Sequence, residues 1–170
     1  MKKLIKICSL FLLFTSCYIN KNIPVKNKVY LNKIENYTNQ PILSFILKEK
    51  IEKIILNYPG FTTTNLKEIA DYTFSIKILK FERIPVFFDK KNIDNIVGAR
   101  YIVEIQMEIK EEKKESIILN KNLIEEISSS IYKEYKEEKI FDKLSEHIAQ
   151  KIYFEFLNFK KNEKSNSYSK

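Results

Sequence analysis

Of the side chains in this 170-residue sequence, Cys17 is the one best placed for covalent chemistry. It follows two small residues, Thr15 and Ser16, where the apolar run Ile7–Phe14 stops. A thiol there can be alkylated as the thiolate and carry a lipid. The other cysteine, Cys8, lies inside the run, so the chain beyond Cys17 has none. That excludes a disulfide framework in the folded part. A single histidine, His147, and no metal-type Cys/His spacing argue against a zinc site. Glu125-Glu126 and Glu137-Glu138 are sequence neighbours that point apart on a helix or strand, so neither pair forms an acid/base couple. His147 sits one residue before the apolar Ile148 and reads as a boundary residue. The sequence has no nucleophile elbow, phosphate-binding glycine loop or zincin motif. The expectation is a protein that is not an enzyme, with no metal and no cofactor.

A second group is cationic. Arg83, Lys90 and Lys91 flank Pro85, Val86, Phe87 and Phe88 in a connection that runs from Arg83 to Gly98. This is long for two neighbouring strands, whose hairpin loops are typically about 2–5 residues. Cations beside exposed rings suit a phosphorylated glycolipid, with the charges on phosphate and the rings on sugar or acyl surface. Arg83, Lys90 and Lys91 are therefore candidate glycolipid contacts. The competing reading has Phe87 and Phe88 extending the strand or folding into the core while the lysines are simply solvated.

The start of the chain gives Cys17 its context. Lys2, Lys3 and Lys6 precede an apolar stretch about half as long as the roughly 20 residues a spanning helix needs. That is the pattern of a secretory signal peptide. Its exit, Phe14-Thr15-Ser16-Cys17, resembles a bacterial lipobox, although Phe14 stands where leucine is usual. Residues 1–16 are then a lipoprotein signal peptide. Residues 17–28 are a lipidated cysteine and tether interrupted by Pro24. The implied modification is a diacylglyceryl and N-acyl lipid on Cys17. Each buried methylene contributes about 0.8 kcal/mol, so two or three chains hold a protein on a membrane for good. Tyr18, in place of an aspartate, points to the outer membrane.

The formal net charge is +8, from 30 Lys and Arg against 22 Asp and Glu. Such a balance favours anionic partners such as membrane surfaces or glycolipids. Abundant Ile, Lys, Asn, Phe and Tyr, with two glycines and no tryptophan, is also the residue set of A/T-rich codons. A basic chain rich in Tyr and Phe raises nucleic-acid binding. An export signal argues against it.

These groups must be carried by one domain, expected over residues 29–159. Val29–Ile34 reads as a short strand, closed by the turn-rich cluster 35–39. Pro41 opens a helix with Leu43, Leu47, Ile51, Ile54, Ile55 and Tyr58 along one face, and Pro59-Gly60 ends it. Tyr72, Phe74, Ile76 and Ile78 alternate with polar residues, and so do Tyr101, Val103, Ile105, Met107 and Ile109: two strands with one buried and one wet face. After Ile78 the phase shifts to Leu79 and Phe81, as at a bulge. Residues 116–127 form a less regular strand. From about Glu137 a helix carries the stripe Ile140, Phe141, Leu144, Ile148, Ile152, Phe156 and Phe159. The tail, 160–170, is polar and expected to be disordered. The predicted fold is α+β: a two-layer sandwich with two helices on one face of a mostly antiparallel four-stranded sheet.

In this order the elements resemble the LptE family of lipopolysaccharide-assembly lipoproteins. The resemblance rests on the lipobox cysteine and on Ile34-Glu35-Asn36-Tyr37-Thr38-Asn39-Gln40-Pro41. That segment is similar to the family's phenylalanine-x-asparagine-x-threonine-x-x-proline turn, with Ile34 at the phenylalanine position. Ala70-Asp71-Tyr72 and Ala99-Arg100-Tyr101 each open a strand, and the match covers about Lys28 to Leu157. It implies an outer-membrane lipoprotein that partners and plugs a β-barrel, LptD, in assembling lipopolysaccharide or a related anionic glycolipid. The domain would sit on the periplasmic side or within the barrel lumen. The alternative is a surface-exposed lipoprotein acting as an adhesin or host-interaction protein.

Overall fold

A computed structural model of the chain describes residues 26–88, 96–130 and 137–167. Cys17, Lys90, Lys91 and the whole signal peptide lie outside the described residues, as do most of the tether and residues 168–170.

The chain opens with β1 (Asn27–Leu31) and β2 (Glu35–Asn36). Both pair in parallel with β4 (Tyr72–Phe88), in registers Val29↔Tyr72 and Glu35↔Lys77, so they act as one strand interrupted at 32–34. Helix α1 (Pro41–Asn57) begins on the expected proline. Gly60, at φ 93°, then turns the chain into β3 (Phe61–Thr64), which returns parallel to β1. Positive φ carries little cost for glycine, which lacks a Cβ. β5 (Ile96–Glu111) and β6 (Ser116–Ser130) complete the sheet antiparallel, and α2 (Glu137–Ser167) closes the fold.

The sheet has six strands in the order β3-β1-β4-β5-β6, with β2 alongside β4. This corrects the expected four-stranded, mostly antiparallel sheet. The four expected strands are present, but the N-terminal half of the sheet is parallel and carries two further short strands. The physical reason is the crossover: a 17-residue helix spans about 25 Å, enough to bring the chain back to the end where β1 began. Phe61-Thr62-Thr63-Thr64 is too short to show a period in the sequence.

Of the two readings of the stretch from Arg83, the long loop is corrected and the strand extension through Phe87 and Phe88 is the one present, because β4 continues to Phe88 and β5 begins at Ile96. Arg83 therefore belongs to a strand. The bulge after Ile78 is present, as a register shift between Ile78 and Lys80. The tail expected to lack structure from residue 160 instead continues α2 to Ser167, with the Lys160 ammonium 5.0 Å from the centroid of the Tyr72 ring. That cation–π contact gives the polar end of the helix something to hold.

Both helices cover one sheet face. Leu43, Leu47, Ile51 and Ile55 of α1 and Ile140, Leu144, Ile148, Ile152 and Phe156 of α2 are buried against Val29, Phe74, Ile76, Val103, Ile105 and Met107. Phe156 is the hub, edge-on to Phe61 at 5.3 Å, Tyr72 at 5.1 Å and Phe74 at 5.2 Å. Edge-to-face pairs add roughly 0.5–1.5 kcal/mol beyond area burial. Lys50 pairs with Asp142 at 2.6 Å and ties the two helices together.

Candidate functional site

The motif residues that carried the family resemblance are joints of the fold. In the turn into α1, the Asn36 side chain replaces missing backbone partners. Its Oδ1 accepts from the Thr38 N–H at 2.9 Å and from the Thr38 hydroxyl at 2.8 Å, while its Nδ2 donates to the Gln40 carbonyl at 2.9 Å. Thr38 Oγ1 in turn accepts from the Gln40 N–H at 3.3 Å. A short amide bonding its own backbone two residues on is an Asx turn. Here it sets the angle at which Pro41 enters the helix.

Asp71 is a second joint. Its carboxylate accepts from the Lys28 N–H at 2.8 Å and from Lys113 at 2.6 Å. Its backbone N–H donates to the Lys28 carbonyl and its carbonyl accepts from the Glu112 N–H. One residue thus ties the start of β1 to the β5–β6 turn. The Lys113 ammonium, then the Lys28 amide, hold the Asp71 carboxyl below its usual range. Ala99 and Tyr101 are core residues, and Arg100 between them faces Glu126 at 4.0 Å.

Arg83 is exposed, and its guanidinium lies 5.9 Å from the centroid of the Tyr101 ring, at the end of the sheet beyond the Phe81–Phe141 contact. Of the three candidate glycolipid contacts it is the one that falls within the described residues.

The sheet face opposite the helices is mostly polar, although Ile124, paired with Glu104, stands 58% exposed on it. Ser75, Lys77, Lys80 and Glu82 of β4 stand beside Glu104, Gln106 and Glu108 of β5 and Asn120 and Asn122 of β6. Lys80–Glu82 at 2.9 Å and Lys77–Glu35 at 3.5 Å are exposed pairs there. Glu82 raises the pKa of Lys80, whereas the Tyr37 hydroxyl, with Lys77, lowers that of Glu35. Exposed pairs of this kind contribute little to stability but keep the face wet.

The helix layer also carries exposed apolar surface outside the buried stripe of α1. Phe45 is 72% exposed and Ile42 45%, and with Ile46 they line an open groove of about 710 Å³ against Glu138, Lys139 and Asp142. The signal was in the sequence, since α1 has more apolar residues than one stripe needs.

Where α2 crosses β6, His147 Nδ1 lies 2.9 Å from Glu125 Oε1, Lys151 pairs with the other oxygen of that carboxylate, and Lys121 meets Glu155 at 2.6 Å. His147 is thus the boundary residue it was expected to be. Burial pushes the Glu125 carboxyl up, but the Lys151 and His147 hydrogen bonds outweigh it and hold the group below its ordinary 4.5. No group of three or more metal-ligating side chains occurs among the described residues, and no described helix is long and apolar enough to cross a membrane.

No protein-family model and no curated protein matches the chain. Among solved structures, protein XCC0632 from Xanthomonas campestris, of family DUF330, superposes with a TM-score of 0.61 at 8% identity. The alignment covers 86% of this chain and 93% of that one. The two share a fold. A minor lipoprotein from Acinetobacter baumannii aligns at TM-score 0.44 and 15% identity over 75% of this chain and 90% of its own. Lipoprotein GNA1162 from Neisseria meningitidis aligns at 0.47 and 6% over 75% and 99%.

Proposed function

We propose that this chain is a bacterial lipoprotein of the LptE kind, lipidated on Cys17 and held at the outer membrane. Its domain partners and plugs a β-barrel that assembles lipopolysaccharide or a related anionic glycolipid. The observation that carries the reading is the exit Phe14-Thr15-Ser16-Cys17 from a basic-then-apolar leader. Without that sulfur the domain has no anchor. The element order and the Asn36–Thr38 turn support the family, and the polar sheet face supports the role, because barrel interiors are polar and a plug needs a hydrophilic surface. Arg83, with Lys90 and Lys91, supplies cations for glycolipid phosphate. Binding is the whole of the chemistry, with no catalytic residue, metal or cofactor.

The test is a crosslinked pull-down of the full-length protein from outer-membrane extract, alongside mass spectrometry of residue 17. Recovery of one large β-barrel, with acyl chains on Cys17, is the expected result. An unmodified thiol with an intact leader overturns the anchor. Lipidated protein open to protease on intact cells, with no barrel partner, overturns the plug in favour of a host-interaction role. Charge reversal of Arg83, Lys90 and Lys91 is expected to weaken glycolipid binding about tenfold or more, and unchanged binding removes them from the site.

A further inference from the structure

Helices α1 and α2 leave a groove between their exposed flanks. Lys53, Ile54 and Asn57 rise along the α1 side at helical spacing, and Gln150, Tyr153 and Phe154 along the α2 side. The groove holds about 570 Å³, within the roughly 300–1,000 Å³ of small-ligand sites.

A buried polar group lines it with nothing to bond. Tyr153 is only 4% exposed, and its ring stacks on Tyr58 at 4.2 Å and meets Phe61 edge-on at 6.3 Å. Its hydroxyl makes no hydrogen bond among the described residues. Burial, with Tyr58 beside it, pushes the Tyr153 phenol up, so it stays protonated and able to donate. An unpaired hydroxyl in a buried residue is costly, and one that lines a groove is a place where a ligand supplies the missing bond.

The charges of the groove cancel. Lys50 is held by Asp142 at 2.6 Å. That leaves the Lys53 ammonium and the Glu146 carboxylate, neither engaged by another described residue. An anion would face Glu146, and a cation would face Lys53. The other polar groups are the amides of Asn57 and Gln150, which donate and accept as the Tyr153 hydroxyl does. Phe154 is 57% exposed and Tyr58 40%, so two rings offer apolar surface. The ligand that matches is neutral, donates and accepts at each polar group, and has one apolar side. A pyranose sugar is such a molecule, since its hydroxyls do both and its C–H side suits the negative face of an aromatic ring.

We propose that the groove between α1 and α2 binds a neutral saccharide, its C–H side on Phe154 and Tyr58 and its hydroxyls on Asn57, Gln150 and Tyr153. The site does not include Arg83 and does not depend on lipid at Cys17.

The test uses the full-length protein in a detergent without a sugar headgroup. It is screened on an array of immobilised neutral glycans, and the sugar retained is titrated in free form by NMR. Binding that moves the side-chain amide signals of Asn57 and Gln150 is expected. Phe154→Ala is expected to weaken it about tenfold, and Phe154→Tyr, which keeps the ring, to stay within about threefold of wild type. Tyr153→Phe is expected to weaken it about three- to tenfold while the unfolding midpoint is unchanged or higher, because a hydroxyl with no partner in the free protein holds nothing together. Phe45→Ala, at the other end of the helix layer, is expected to leave binding unchanged. Equal affinity for the free sugar and for the same sugar on a glycolipid identifies a glycan chain as the source. A glycolipid held at least tenfold tighter, and still weakened by Phe154→Ala, identifies a lipid-borne sugar. Retention of no neutral glycan overturns the proposal, as does binding indifferent to both Phe154→Ala and Tyr153→Phe. Binding of phosphorylated glycolipid alone, surviving Phe154→Ala and lost on charge reversal of Arg83, overturns the groove and leaves the glycolipid contacts standing.

Discussion

Replacing Asn36 by alanine tests whether the turn before α1 is a structural joint. Asn36 is half-buried and makes three hydrogen bonds, two to Thr38 and one to the Gln40 carbonyl. At about 1 kcal/mol net for each, Asn36→Ala is expected to cost about 2–3 kcal/mol. That is a substantial share of the roughly 5–15 kcal/mol that stabilises a domain. Thr38→Val removes the hydroxyl that donates to Asn36 and accepts from Gln40, and is expected to cost about 1–2 kcal/mol. Thr38→Ser keeps that hydroxyl and is expected to stay within about 0.5 kcal/mol of wild type. Asn36 and Thr38 share partners, so the double variant should lose less than the two singles added together. The assay is urea unfolding followed by far-UV circular dichroism, with the slope checked for constancy. If Asn36→Ala falls within about 0.5 kcal/mol of wild type, the turn does not direct the entry into α1 and the reasoning fails.

Other perturbations have equally definite outcomes. Phe156→Ala empties the hub between Phe61, Tyr72 and Phe74 and is expected to destabilise by about 3–5 kcal/mol in the same unfolding assay. Ser145 is fully buried and its hydroxyl has no hydrogen-bond partner among the described residues, so Ser145→Ala is expected to raise stability by about 1 kcal/mol, read as a shift in the urea midpoint. Gly60→Ala meets no atom within 4 Å but must hold φ at 93°, so it is expected to cost about 1 kcal/mol from strain alone, measured as a lowered unfolding temperature. The Glu125 and Asp71 carboxyls are both held below their ordinary values of 4.5 and 3.8 in the folded chain. A depressed folded pKa contributes stability above the unfolded value and loses it as pH falls through the folded one. Unfolding free energy is therefore expected to decline below about pH 4.5, and a pH series on Glu125→Gln should show a shallower decline.

The sequence by itself determined the elements whose periodicity was long enough to see. The alternation from Tyr72 to Ile78 and from Tyr101 to Ile109 marked two strands and their buried faces. The phase slip after Ile78 marked a bulge, and helical spacing marked the stripes of both helices. It also placed Cys17 where the apolar run Ile7–Phe14 gives way to Thr15 and Ser16. Tertiary structure decided what period cannot carry. Parallel pairing of β1 with β3 and β4 depends on where α1 returns the chain, and β3 has only four residues. Arg83 opens a stretch in which Pro85 interrupts the alternation, yet pairing with Tyr101 keeps it on a strand. Asn36, Thr38 and Asp71 announced themselves as motif residues, but only the folded chain shows that they close turns and tie strand ends. Local pattern reports which face of a segment avoids water. Which segments meet depends on contacts between residues far apart in the chain, and no single window of sequence contains both partners.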